Sequence, residues 1–174
     1  MAHVGIDGHH VLFGSPEVLG ECRPGNRKID REMLATRYPR AKLTEPGDVI
    51  VTTIPRLGAI VDRAGFCVVE FPARILRIPR TEQDQFTSRV LAALLTAEGA
   101  GARAASAVRP VLRLEERRLA LPSPVEVALL DTLLAELDER SGVAQREIDM
   151  LDELRDVATA GLIDGTLTLA GDNT

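Results

Sequence analysis

Pro46-Gly47-Asp48-Val49-Ile50-Val51-Thr52-Thr53 is a turn followed by a strand, and it decides the fold class. Pro presets φ, Gly accepts a positive φ and Asp bonds its own neighbouring backbone, so the three make a turn. The β-branched run behind them predicts a strand over 49–53. Downstream, Ile54 to Gly58 reads as a loop, Ala59-Ile60-Val61 as a second strand and Asp62 to Gly65 as a hairpin turn. Phe66 to Phe71 and Ala73 to Ile78 read as continuing the sheet, with Pro72 marking an edge or a bulge. Upstream, Ser15-Pro16-Glu17-Val18-Leu19 predicts a short helical turn, and Ile29 to Tyr38 a helix stopped by Pro39.

Beyond Thr81 the period changes from two to 3.6. Phe86, Val90, Leu94 and Ala97 share one helical face, and Gly99 is expected to end that helix. Gly99 to Ala107 reads as a Gly/Ala loop, Val108 to Leu112 as a last strand carrying Pro110, and Glu115 to Leu119 as a helical turn. Leu121-Pro122-Ser123-Pro124 is a boundary. After it, Val127, Leu130, Leu134, Leu137, Ser141, Ala144, Ile148, Leu151, Arg155 and Ala158 follow a 3-4 spacing, a heptad seam that Leu133 and Leu154 widen. A continuous helix over 124–160 would be roughly 55 Å long. Gly142 is where it would kink or fold into a hairpin.

The pattern predicts an α+β chain in two parts. Residues 1–121 form a small β-rich domain with peripheral helices, and residues 122–174 form a long coiled-coil-type helix with a tail. So long a seam is expected to pack on a second long helix, from another copy of the chain or from a different protein. Leu130, Leu134, Leu137, Ile148 and Leu151 are the residues expected at that interface.

Charge follows the same division. The chain of 174 residues carries a net −5, which at first argues against a nucleic-acid partner. Residues 1–121 hold 18 basic and 14 acidic residues, a surplus of +4; residues 122–174 hold 3 basic and 12 acidic, a deficit of −9. Such asymmetry points to a polyanionic partner for the basic part. Arg23, Arg27, Lys28, Arg31, Arg37, Arg40 and Lys42 crowd one segment against only Asp30 and Glu32. Arg outnumbers Lys 19 to 2, which on composition alone GC-rich coding explains better than a need for the guanidinium fork does. Four Phe, one Tyr and no Trp leave little for stacking single-stranded bases, so groove readout by Arg is the expected mode.

Catalytic chemistry is not legible. The string Gly99-Ala100-Gly101-Ala102-Arg103-Ala104 fits a relaxed dinucleotide fingerprint but follows a helix instead of a strand. There is no nucleophile elbow, P-loop or HExxH. His3, His9 and His10 are expected to be solvated, and no metal site is expected. Cys22 and Cys67 stand far apart, which suits a reducing cytoplasm. No apolar stretch is long enough to span a bilayer, and the N-terminal residues do not read as a signal peptide.

Several motifs together resemble a target recognition domain of type I restriction–modification specificity subunits. They are Leu43-Thr44-Glu45-Pro46-Gly47-Asp48 with the strand after it, Gly58 to Val61, and Pro72-Ala73-Arg74-Ile75-Leu76-Arg77-Ile78. Leu119 to Pro124, the heptad helix, and Ala160-Gly161 through Gly165-Thr166-Leu167 resemble that family's domain-to-helix junction and helix end. The same module also closes N6-adenine DNA methyltransferases, and the resemblance covers residues 12–169. It implies a non-catalytic reader of double-stranded DNA that docks on a methyltransferase subunit or domain, with S-adenosylmethionine bound by that partner. The chain departs from the family in having one recognition domain and one helix where a full specificity subunit has two of each. It also lacks the Asn/Asp-Pro-Pro-Tyr/Phe motif of adenine methylation. On this reading Arg23, Arg27, Lys28 and Arg31 contact phosphates, and Arg56, with Arg74 and Arg77, contacts base edges. The competing reading is a coiled-coil protein–protein adaptor that binds no DNA.

Overall fold

The computed structural model describes residues 8–22, 27–82, 86–104, 114 and 118–166. In chain order the elements are β1 (His9–Phe13), α1 (Ser15–Val18), β2 (Lys28–Asp30), α2 (Arg31–Arg37), β3 (Val49–Thr52), β4 (Gly58–Val61), β5 (Val68–Val69), β6 (Arg74–Leu76), α3 (Ser88–Ala104) and α4 (Pro124–Ile163), with a 3-10 turn at Arg80–Glu82. The architecture is α+β, with a long C-terminal helix.

The strand predicted from its β-branched run is β3, the middle of a sheet ordered β4-β3-β6. Both neighbours are antiparallel, with Val51 opposite Ala59 on one side and Arg74 on the other. All four β3 residues are buried, which is why Val49, Ile50 and Val51 follow one another without polar alternation; the buried Thr52 hydroxyl donates to the Ile54 carbonyl at 2.9 Å. Val49 and Val51 pack with Leu57, Ala59, Ala92 and Leu95 beneath α3. Ile50 faces the other way, into a cluster with Phe13, Val18, Cys67 and Ala73. That second cluster joins the first sheet to another, ordered β2-β1-β5.

This second sheet departs from the expectation. Residues 66–71 do not extend the first sheet: β5 is short and pairs in parallel with β1, Leu12 opposite Val68. Asp62 to Gly65 is a turn, its Asp62 Oδ1 accepting from the Ala64 and Gly65 amides, but it passes the chain from one sheet to the other and makes no hairpin. β1 was hidden because its partners lie far along the chain. His10, expected to be solvated, is buried there with Nδ1 3.0 Å from the Phe66 carbonyl oxygen. His3 lies outside the described residues.

Helix boundaries moved for local reasons. Ile29 is a buried strand residue, and α2 starts two residues later, where Asp30 Oδ1 caps the Met33 amide at 2.6 Å. α3 does not stop at Gly99. That glycine serves close packing, since a Cβ there would stand 2.2 Å from the Leu57 carbonyl oxygen. The strand expected over 108–112 lies outside the described residues, as do residues 115–117 of the expected turn.

The chain divides into two compact units, Met1–Asp131 and Thr132–Thr174, so the boundary falls inside α4. α4 runs unbroken through Gly142, which excludes the hairpin alternative. Ser123 and Glu126 form a reciprocal cap at its start: the Ser123 amide and hydroxyl both donate to Glu126 Oε2 at 2.7 Å. Among the described residues no helix is long and apolar enough to cross a membrane.

Candidate nucleic-acid interface

The cations proposed from sequence separate into two groups. One group is held by carboxylates of the fold. Arg27 lies between Glu17, at 3.3 Å, and Glu70, at 2.5 Å. Glu17 is itself buried and accepts from the Gly14 amide, while Tyr38 donates to Glu70 Oε1 at 3.0 Å. Burial alone would raise the Glu70 carboxyl, but hydrogen bonds from Arg27 and Tyr38 outweigh it and hold it below its ordinary value. Arg77 makes the second clamp. Its Nε and one terminal nitrogen donate to the two oxygens of Asp48 at 2.7 Å each, and the other terminal nitrogen donates to Glu45 at 2.6 Å. Asp48 is only 2% exposed. Against the raising effect of burial, Arg77 and the Glu45 amide keep its carboxyl below the ordinary range. Bidentate geometry of this kind fixes the end of β6 to the turn before β3.

The other cations lie outside these two clamps. Lys28 and Arg31 are exposed on β2 and the first turn of α2, and the exposed Arg37, Arg40 and Lys42 follow. Among the described residues Lys28 and Arg31 make no ion pair with a carboxylate. Arg56 sits half-exposed in the loop after β3, 3.7 Å from Glu21. Arg74 is exposed at the first position of β6. Arg23 lies outside the described residues.

Strand pairing brings Arg56 and Arg74 to one end of the domain and puts Arg77 at the other. Arg74 opposes Val51, so the chain enters β6 where β3 leaves for the Arg56 loop. Leu76, next to Arg77, opposes Val49 at the start of β3. Of three Arg expected to read bases, two therefore share an end, and the third is tied to the turn that launches the central strand. Sequence spacing could not reveal this, because Arg77 and Asp48 are 29 residues apart.

No described group resembles an activated nucleophile. Burial, then the neighbouring Asp62, pushes the Cys67 thiol up to about 12, so it stays protonated at neutral pH. The Thr44 hydroxyl, which donates to Asp62, accepts from the Cys67 amide at 2.8 Å and so ties this corner together. Among the described residues no three His, Cys, Asp or Glu side chains gather to hold a metal ion.

On α4, Leu130 and Leu134 are half-buried, while Leu137, Ile148 and Leu151 are exposed, as are Leu129, Leu133, Leu154 and Leu162. A seam repeating every 3.5 residues rotates by about 20° per heptad around a helix of 3.6 residues per turn. Leu133 and Leu154, which only flank the heptad seam, are exposed with it, and so are Val125, Val143, Met150 and Val157 on other sides of the helix. Comparison of the chain with protein-family models, curated proteins and solved structures finds no match.

Proposed function

We propose that this chain is a double-stranded DNA recognition module that directs an N6-adenine DNA methyltransferase, within a type I restriction–modification complex or a related modification system. The observation that carries the reading is the separation of charge on the fold. The exposed Lys28, Arg31, Arg37, Arg40 and Lys42, with Arg56 and Arg74, belong to the sheet-containing unit. α4 carries ten acidic residues against three basic ones. A cationic surface meets phosphates, and an acidic helix with exposed leucines meets protein.

In this reading Lys28 and Arg31, with Arg23, contact the backbone, and Arg56 and Arg74 reach base edges. Arg27 holds Glu70 in the turn before Arg74, and Arg77 ties the far end of β6 to the turn before β3. Base flipping, S-adenosylmethionine binding and methyl transfer belong to the partner methyltransferase. The chain itself is non-catalytic and needs no cofactor. A DNA partner and two free thiols both suit the cytoplasm.

A salt series of DNA binding tests this, with and without a candidate methyltransferase subunit. Binding should weaken steeply as salt rises, because phosphate contacts release counterions. Arg56→Ala should cost about 1–3 kcal/mol on a cognate site and little on random duplex. Equal loss on both removes the base-reading role. The exposed leucines of α4 favour a second reading, a protein–protein adaptor; stable self-association with no DNA binding at any salt would establish it.

A further inference from the structure

The end of the domain that carries Arg56 and Arg74 also carries its most exposed aromatic side chain. Phe71 is 81% exposed, in the turn between β5 and β6, and Ile54 is 47% exposed, in the loop after β3. The two loops are neighbours by register. Val51 opposes Arg74, so β3 leaves the sheet toward Ile54 on the side where the turn at Phe71 enters β6. Both loops are anchored from behind. The Ser15 hydroxyl donates to the Ile54 carbonyl at 2.8 Å, the Glu70 amide to the Phe13 carbonyl at 2.8 Å, and the Ala73 amide to the Glu70 carbonyl at 2.9 Å. Glu70 is further held by Arg27 and Tyr38. Phe71 is thus a large apolar group on a braced turn, three residues before Arg74 in the chain.

A chain with only four Phe gains nothing for folding by leaving one so exposed. A duplex offers apolar surface chiefly between stacked base pairs, and a Phe on a firm turn, at the end of the sheet that also carries Arg56 and Arg74, matches the side-chain wedges that enter the minor groove and kink the helix. We infer that Phe71 is such a wedge: it inserts at a base-pair step in the minor groove and bends the DNA, while Arg56 and Arg74 keep their contacts to base edges next to that step. Ile54 supports it from the neighbouring loop. This rests on the DNA-recognition reading and adds a deformation step to it, so that easily unstacked TA steps become favoured at positions no hydrogen bond reads.

The test uses the full chain and 24-base-pair duplexes with a central TA step, 2-aminopurine at that step and a fluorophore at each end. Wild type should brighten 2-aminopurine and shorten the end-to-end distance. Phe71→Ala, whose exposed position leaves the fold intact by circular dichroism, should lose both signals. It should also bind roughly 5- to 150-fold more weakly with an unchanged salt slope, and Phe71→Leu should recover part of the bend. If wild type binds with a normal salt slope but neither unstacks nor bends the duplex, or if Phe71→Ala behaves as wild type, the wedge is overturned and the recognition reading stands. If wild type binds no duplex at any salt, both fall. Phe71-dependent sedimentation with phosphatidylserine vesicles in place of DNA binding would assign the tip to a lipid surface and overturn the wedge.

Discussion

Gly99 and Gly142 are both interior to helices, and intrinsic propensity predicts the same result for changing either to Ala: a gain of about 0.5–1 kcal/mol. Packing predicts opposite signs. A Cβ on Gly142 would meet nothing closer than the Arg146 guanidinium, 3.7 Å away at the end of a flexible side chain, so Gly142→Ala should keep the full gain. A Cβ on Gly99 would lie 2.2 Å from the Leu57 carbonyl oxygen, 3.0 Å from its carbon and 3.1 Å from Leu57 Cβ. Carbon-to-oxygen contacts settle at roughly 3.3 Å or more, so α3 or the 53–57 loop must give by about 1 Å. Leu57 is buried in the cluster that α3 covers, so neither moves freely. Overpacking costs about 1–3 kcal/mol; set against the propensity gain, Gly99→Ala should destabilise by about 1–2 kcal/mol. Urea titrations followed by far-UV circular dichroism measure both variants. A Gly99→Ala protein as stable as its parent would refute the close approach of α3 to the Leu57 backbone. A destabilised Gly142→Ala protein would refute an unbroken, open helix at that point.

The carboxylates of the two clamps contribute to acid stability. Asp48 and Glu70 have folded pKa values below their ordinary 3.8 and 4.5, so each contributes stability that is complete above those values and is lost as pH falls through the lowered ones. Arg77→Ala should therefore move the acid-unfolding midpoint to higher pH; an unmoved midpoint would contradict the Asp48 clamp. In the native protein a thiol reagent should modify one cysteine per chain, the half-exposed Cys22, slowly because desolvation and Glu17 raise its thiol, and reach the buried Cys67 only after denaturation. Replacing both Leu134 and Leu151 with Lys should abolish self-association or co-purification with a methyltransferase subunit, and an unchanged mass by light scattering would count against a helix interface.

What could be read before any coordinates were local features. The Pro46–Asp48 turn and the apolar run after it specify β3, because a continuous β-branched stretch is stable only when buried on both faces. Ser123, Pro124 and the 3-4 spacing specify α4, because a helix needs only its own cap and periodicity to be recognised. The charge division was likewise a property of the chain. Long-range pairing decided the rest. β5 joined β1 because Leu12 and Val68, 56 residues apart, meet across a sheet that no local pattern announces. Gly99 looked like a helix end because a glycine's need for space is invisible until Leu57 lies against it. The basic residues look alike in sequence, and only tertiary structure shows that carboxylates from distant segments hold Arg27, Arg77 and Arg56, and that strand register brings Arg56 and Arg74 to the end of the sheet that carries Phe71. Residue type and spacing are written in the chain, but a side chain's partner is set by which distant segments the core brings together.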